Sequence, residues 1–123
     1  MIAIDTSSLR RWSENETGED VDRVDAAIAT GEAALPPVVV TEALSKVVLP
    51  AAFVDLVATL PIVSIRERYW FRAGELRADT MRRGHKAKLA DVLIAQACID
   101  KGVVLITHDA DFRHFTRAGL KLA

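Results

Sequence analysis

Four short apolar runs, Met1 to Ile4, Leu35 to Val39, Ile62 to Ile65 and Val103 to Ile106, alternate with helix-length segments, and this alternation constrains the chain more than any other feature. Strands that take turns with helices are the pattern of a parallel sheet covered on both faces. The expected fold is α/β: a three-layer α/β/α sandwich with a central parallel sheet of four or five strands, the last an edge strand at Leu120 to Ala123. No linker, internal repeat or low-complexity stretch interrupts it, so residues 1–123 read as one domain. Half of these residues are apolar, enough for one core without disulfides or a structural metal.

The segments between the runs follow local rules. Thr6-Ser7-Ser8 supplies hydroxyls of the kind that cap a helix after the first run. Val21, Val24, Ala27 and Ile28 stand at helical spacing between a start at Thr17 to Asp20 and a stop at Gly31, predicting a helix near residues 19–30. Leu35-Pro36-Pro37-Val38-Val39 reads as a short extended edge strand, because each proline biases its predecessor away from the helical region and donates no hydrogen bond. A helix then opens at Thr41-Glu42-Ala43-Leu44 and is ended or kinked by Pro50, and a second runs from Ala51 to Leu60 and stops at Pro61. Tyr69, Ala73, Leu76 and Thr80 mark one face of a long helix from Glu67 to Arg83, and Asp91 to Ile99 predicts a helix buried on most sides. A short helix is expected from Asp111.

Composition narrows the setting. The lone Cys98 forms no internal bridge and points to a reducing compartment. No run of about 18 apolar residues spans a bilayer, and Met1-Ile2-Ala3-Ile4-Asp5 lacks the basic start of a secretion signal. The expectation is a cytoplasmic protein without membrane contact. A net charge of −1 hides two opposite fields: residues 1–35 carry a net of −5 and residues 66–88 a net of +5.

Right-handed crossovers bring every strand C-terminus to one edge, where open α/β sheets place their sites. Asp5 ends the first run, Glu42 lies in the first turn of the helix after the second, Asp91 opens the buried helix, and Asp109 follows the fourth run with Asp111 two residues on. One acid at a helix start is ordinary dipole complementation. Asp5 and Asp109, however, directly follow apolar strands, where Asp has low propensity. A cluster of carboxylates repels itself unless a cation joins it. Oxygen-only ligation favours Mg²⁺ or Mn²⁺, and His85, His108 and His114 lack the spacing of a zinc site. Arg82, Arg83, Lys86 and Lys88 lead toward Asp91 and would supply phosphate contacts. Thr6 and Thr107 are candidates to hydrogen-bond a ligand carboxylate, whereas Trp12, Tyr69, Trp70 and Phe71 read as packing residues.

Four segments together carry a family resemblance: Met1 to Leu9 with Asp5-Thr6-Ser7, Pro37-Val38-Val39-Val40-Thr41-Glu42, Leu89-Ala90-Asp91-Val92-Leu93-Ile94-Ala95, and Leu105-Ile106-Thr107-His108-Asp109-Ala110-Asp111-Phe112. In order and spacing the chain resembles the PIN-domain family, and within it the VapC-like ribonuclease toxins of toxin–antitoxin pairs. The resemblance implies a three-layer fold and an acidic pocket binding Mg²⁺ or Mn²⁺. It places the family's acids on Asp5, Glu42, Asp91 and Asp109, with Asp111 as a neighbouring metal ligand. It further implies metal-dependent cleavage of RNA, silencing by a small VapB-like antitoxin that inserts into or covers the site, and a homodimer. Pro50 within the 42–62 segment and His108 near the fourth acid depart from the family's usual pattern. Competing readings are a PIN-like RNA-processing nuclease outside a toxin–antitoxin pair, an inactive RNA- or protein-binding module, and a phosphoacceptor receiver domain. The last lacks the paired acid after Asp5 and a Lys beside Thr107.

Overall fold

Strand β1 (Ile2–Ile4) lies inside the sheet, apolar on both faces as a covered strand requires. The computed structural model describes residues 1–123 and continues with α1 (Thr6–Ser13), α2 (Glu19–Ala29), β2 (Ala33–Ala34), α3 (Pro37–Ala43), α4 (Ala51–Thr59), α5 (Tyr69–Arg82), α6 (Leu89–Lys101), β3 (Val104–Ile106), a 3-10 helix (Ala110–Ala118) and β4 (Lys121–Leu122). The strands stand in the order β2-β1-β3-β4, all parallel, with Ile2 opposite both Ala33 and Val104. Helices flank this four-stranded sheet, as expected of the α/β/α sandwich. The chain builds outward from β1 on one side to β2, then returns to the other side as β3. The C-terminal ends of β1 and β3 therefore form the topological switch point, where a crevice opens beyond a parallel sheet.

Two of the expected strands differ. Only Ala33 and Ala34 pair with β1, and Leu35 makes a single parallel bridge to Ile62, so the expected strand at Ile62 to Ile65 contracts to one residue. Pro36 is extended, but Pro37 opens α3 instead of prolonging a strand. The physical reason is positional: a proline forbids helix to its predecessor, yet its own fixed φ and missing N–H suit the first position of a helix. Glu42 consequently lies in the last turn of α3, not in the first turn of a helix opening at Thr41, and the chain is irregular from Leu44 to Pro50.

The core gathers Ile4, Leu9, Val24, Leu35, Val39, Val63, Ile94, Leu105, Ile106, Phe112 and Phe115, all essentially solvent-free. Helix α6 buries Val92 and the unbroken run Ile94 to Cys98, in keeping with its apolar sequence. Tyr69 joins the core and its hydroxyl donates to the Leu93 carbonyl. Trp70 and Phe71 stay outside the core, 64% and 65% exposed. Trp12 is half-buried, with its indole N–H on Asp25 at 3.1 Å.

Asp20 ties α2 to α1. Its carboxylate accepts from Ser8 Oγ at 2.8 Å and from Arg11 Nε at 3.1 Å. Gly18, the N-cap of α2, stands at φ +150°, a backbone conformation that L side chains rarely adopt. Burial pushes the Asp20 carboxyl up, but the Arg11 and Ser8 hydrogen bonds and the Arg11 charge outweigh it and hold the group below its ordinary 3.8. A depressed carboxylate stabilises the fold above its unfolded pKa and loses that contribution as pH falls through its folded value. Asp20→Asn is therefore expected to lower stability in urea by about 1–3 kcal/mol at neutral pH, with the gap to wild type closing below about pH 4. An equal gap at pH 3 and pH 7 would contradict the ion-pair assignment.

Candidate active site

The switch point is furnished from four directions. Asp5 leaves β1 as the N-cap of α1, but its side chain makes no capping bond. Its Oδ2 instead accepts from Ser7 Oγ at 2.7 Å and Thr107 Oγ1 at 2.8 Å. Asp109 leaves β3 as the N-cap of the 3-10 helix and accepts from the Asp111 N–H at 2.9 Å. Thr107 joins the two acids, because its hydroxyl oxygen also accepts from the Asp109 N–H at 3.0 Å. Glu42 reaches in from the end of α3 and accepts from Thr6 Oγ1 at 2.7 Å. Asp91 comes from the first turn of α6.

The charges of Asp5, Asp109 and Glu42 all bear on Asp91. Burial, opposed by the Ser7 and Thr107 hydroxyls and reinforced by Glu42, raises the pKa of Asp5, which is only 3% exposed. Asp91 is pushed up to about 6, first by burial, then by the charges of Asp5 and Asp109, with Glu42 adding to them and Lys88 acting against. No three of these groups close around a single point as their side chains stand; Asp5 and Glu42 are turned onto hydroxyls. The donor set is carboxylate oxygen with hydroxyls holding the carboxylates in place. It fits a hard divalent cation such as Mg²⁺ or Mn²⁺, whose charge would offset the repulsion that burial amplifies.

The remaining candidates divide. Thr6 donates to Glu42 and Thr107 to Asp5. Asp111 is attached through its main chain, and its charge is not among those acting on Asp91. Lys88 is the N-cap of α6 and faces Asp91 electrostatically, whereas Arg82 and Arg83 both bind Asp79 on their own helix, at 3.4 and 3.0 Å. Lys86 is exposed. His85 stacks on His114 with ring centroids 4.1 Å apart. Sequence reasoning misses two participants. Ser7 accepts from the His108 N–H at 3.2 Å while donating to Asp5, and Arg10 Nη2 donates to the Glu42 carbonyl at 2.7 Å. The one available signal was their place on α1, directly behind Asp5.

A parallel α/β domain with a buried Asp5 and three partly buried carboxylates gathered at the β1/β3 switch point is the class that fold and site define. The PIN domain family profile matches residues 2–118, and the chain belongs to that family. Similar solved structures are VapBC2 from Rickettsia felis bound to a DNA fragment from its promoter, at 22% identity and TM-score 0.69 over 100% of this chain and 98% of that one. VapBC-1 from nontypeable Haemophilus influenzae is similar at 18% identity and TM-score 0.73, over 100% and 97%. DNA-bound VapBC from Salmonella typhimurium matches at 18% identity and TM-score 0.65, over 100% and 98%. At these identities the likeness establishes the fold. No curated protein matches the chain by sequence. No helix is long and apolar enough to cross a membrane.

Proposed function

We propose that this protein is a divalent-metal-dependent endoribonuclease and the toxin of a toxin–antitoxin pair. The observation that carries the reading is the convergence of acids at the switch point: Asp5 and Asp109 are joined through Thr107, Glu42 is held by Thr6, and Asp91 is pushed up by burial and by the charges of Asp5 and Asp109. Asp5, Asp91 and Asp109 would hold Mg²⁺ or Mn²⁺, with Asp111 as an additional oxygen donor beside Asp109. The bound ion would supply charge for the phosphoryl oxygens and a lowered pKa for a coordinated water. Glu42, whose Oε1 accepts from Thr6, would orient or deprotonate the attacking water. Thr107 keeps Asp5 and Asp109 in fixed relation. Lys88 and Lys86, with Arg82 and Arg83 farther along the same basic segment, would bind the RNA backbone and leave the acidic pocket to the scissile phosphate.

The antitoxin part of the reading rests on family membership, on the VapBC neighbours and on a surface beside the site. A groove of about 760 Å³ is lined by Trp12, Leu49, Phe53 and Leu56 together with Arg10 and Lys46. It offers a small partner an apolar seat next to Glu42. Homodimer formation is the remaining part of the proposal, and exposed Trp70 and Phe71 supply apolar surface for it. Purified protein incubated with total RNA is expected to cleave it with Mg²⁺ or Mn²⁺ and to stop on addition of chelator. Divalent ion should also raise the thermal midpoint of the protein, through binding to the folded state alone. RNA left intact under every metal condition, by protein free of any inhibitor, would favour a binding module.

A further inference from the structure

Glu42 stands at the end of a helix of only seven residues, so its placement needs support from outside that helix. The last carbonyls of a helix lack intrahelical donors. That of Glu42 receives the Ser45 N–H at 3.2 Å and, more closely, Arg10 Nη2 at 2.7 Å. The Glu42 side chain meanwhile receives Thr6 Oγ1 at 2.7 Å. Thr6 and Arg10 are four residues apart on α1 and so project from one face, one above the other. One face of α1 therefore grips both the carboxylate and the main chain of a single residue, and the Arg10 charge complements the C-terminal dipole of α3.

We infer that Arg10 is a positioning residue for Glu42, setting the carboxylate through its main chain. The inference rests on the proposed role of Glu42 in RNA hydrolysis. The disposition of Arg10 argues against a simple phosphate contact. Its Nε is buried without a hydrogen-bond partner, and its Nη2 is already engaged by Glu42. The guanidinium is committed inward, although Arg10 also forms part of the wall of the groove running past Trp12 and Phe53. A residue that touches both the groove and Glu42 provides a direct physical link between them.

The test is a double-mutant cycle on the full chain. Arg10→Ala is expected to lower kcat for RNA cleavage by about 10- to 100-fold, the scale of a misplaced catalytic group, with little change in KM. Arg10→Lys, which keeps one charged donor, should recover part of that loss. In a Glu42→Gln background Arg10→Ala should cost almost nothing further, because the residue it positions no longer acts. Independently of cleavage, the side-chain carboxyl ¹³C resonance of Glu42 should move in Arg10→Ala and in Arg10→Lys, while that of Asp55 on α4 stays in place. A kcat loss of equal size in both backgrounds, a change confined to KM, or an unmoved Glu42 resonance would overturn the assignment. Absence of cleavage by wild type together with a shifted Glu42 resonance would instead overturn the nuclease reading and leave the positioning contact standing.

Discussion

Replacing Asp91 by Asn is expected to reduce RNA cleavage by about three orders of magnitude, the scale on which a lost charge-stabilising group acts. The same substitution should raise the stability of the metal-free protein. Both effects have one origin. Asp91 is held at about 6 by burial and by the charges of Asp5 and Asp109, so its ionised form is a source of strain when nothing positive lies among the three. The amide keeps the shape and removes the repulsion. Because Asp91 is only half withdrawn from water, the gain is discounted to about 1 kcal/mol, or about 4 °C in thermal midpoint. The stabilisation by Mg²⁺ or Mn²⁺ seen in wild type should shrink sharply in Asp91→Asn, since one oxygen donor loses its charge. Cleavage kinetics and thermal melts with and without Mn²⁺ check the two halves separately. Wild-type cleavage by Asp91→Asn would remove Asp91 from the catalytic group, and a lower midpoint without metal would show that its charge is not strained.

The opposition of those effects explains why part of the site is legible in the sequence. Asp5 and Asp109 stand out because an acid directly after an apolar strand serves neither the strand nor the core, and both meet at the β1/β3 switch point. Asp91 stands out as the charge that opens the nearly all-apolar stretch Val92 to Ile99 of α6. Glu42 also lies beside them, although from the last turn of α3, where its side chain meets Thr6 of α1. The misread segment has a clear cause. Extended and helical readings of Leu35 to Val39 differ only in which side of Pro37 the restriction applies to, and local pattern does not choose between them. Strand β2 is two alanines, which carry no strand signal, and it exists because β1 offers a parallel edge.

The hydroxyls and Arg10 mark where sequence reading stops. Thr6, Ser7 and Ser8 look alike as capping residues, yet each serves a different carboxylate: Glu42, Asp5 and Asp20. Assigning them requires the rotation of α1 against α2 and α3, a tertiary quantity. The split of charge along the chain has a similar resolution. Part of the acidic excess of residues 1–35 is consumed internally, since Asp20 meets Arg11 and Asp5 lies in the pocket. On the basic side, Arg72 is bound to Asp100, and Arg82 and Arg83 to Asp79, so Lys88 is the cation most directly set against the acids.

Phe112→Ala is expected to have the largest effect on stability. The ring is fully buried and packs edge-on to Phe115 with centroids 5.9 Å apart. Truncating such a side chain costs about 3–5 kcal/mol through lost transfer and the cavity left behind. A domain of ordinary stability has about 5–15 kcal/mol in total, so the variant should unfold at much lower urea. Position makes the loss functional as well. Phe112 and Phe115 are the buried residues of the 3-10 helix, a form with poorer hydrogen-bond geometry than an α-helix, and packing is what holds the segment to the core. Asp109 caps that segment and Asp111 lies in its first turn, so loosening it should displace the acids beside β3. The folded fraction of Phe112→Ala should accordingly need more Mn²⁺ for half-maximal cleavage, whereas Phe112→Leu should lose about 1 kcal/mol and keep near-normal metal dependence. Urea denaturation and Mn²⁺ titration of cleavage measure the two quantities independently. A loss below about 1 kcal/mol in Phe112→Ala, well short of the range for a buried ring, would show that the aromatic pair does not anchor this helix.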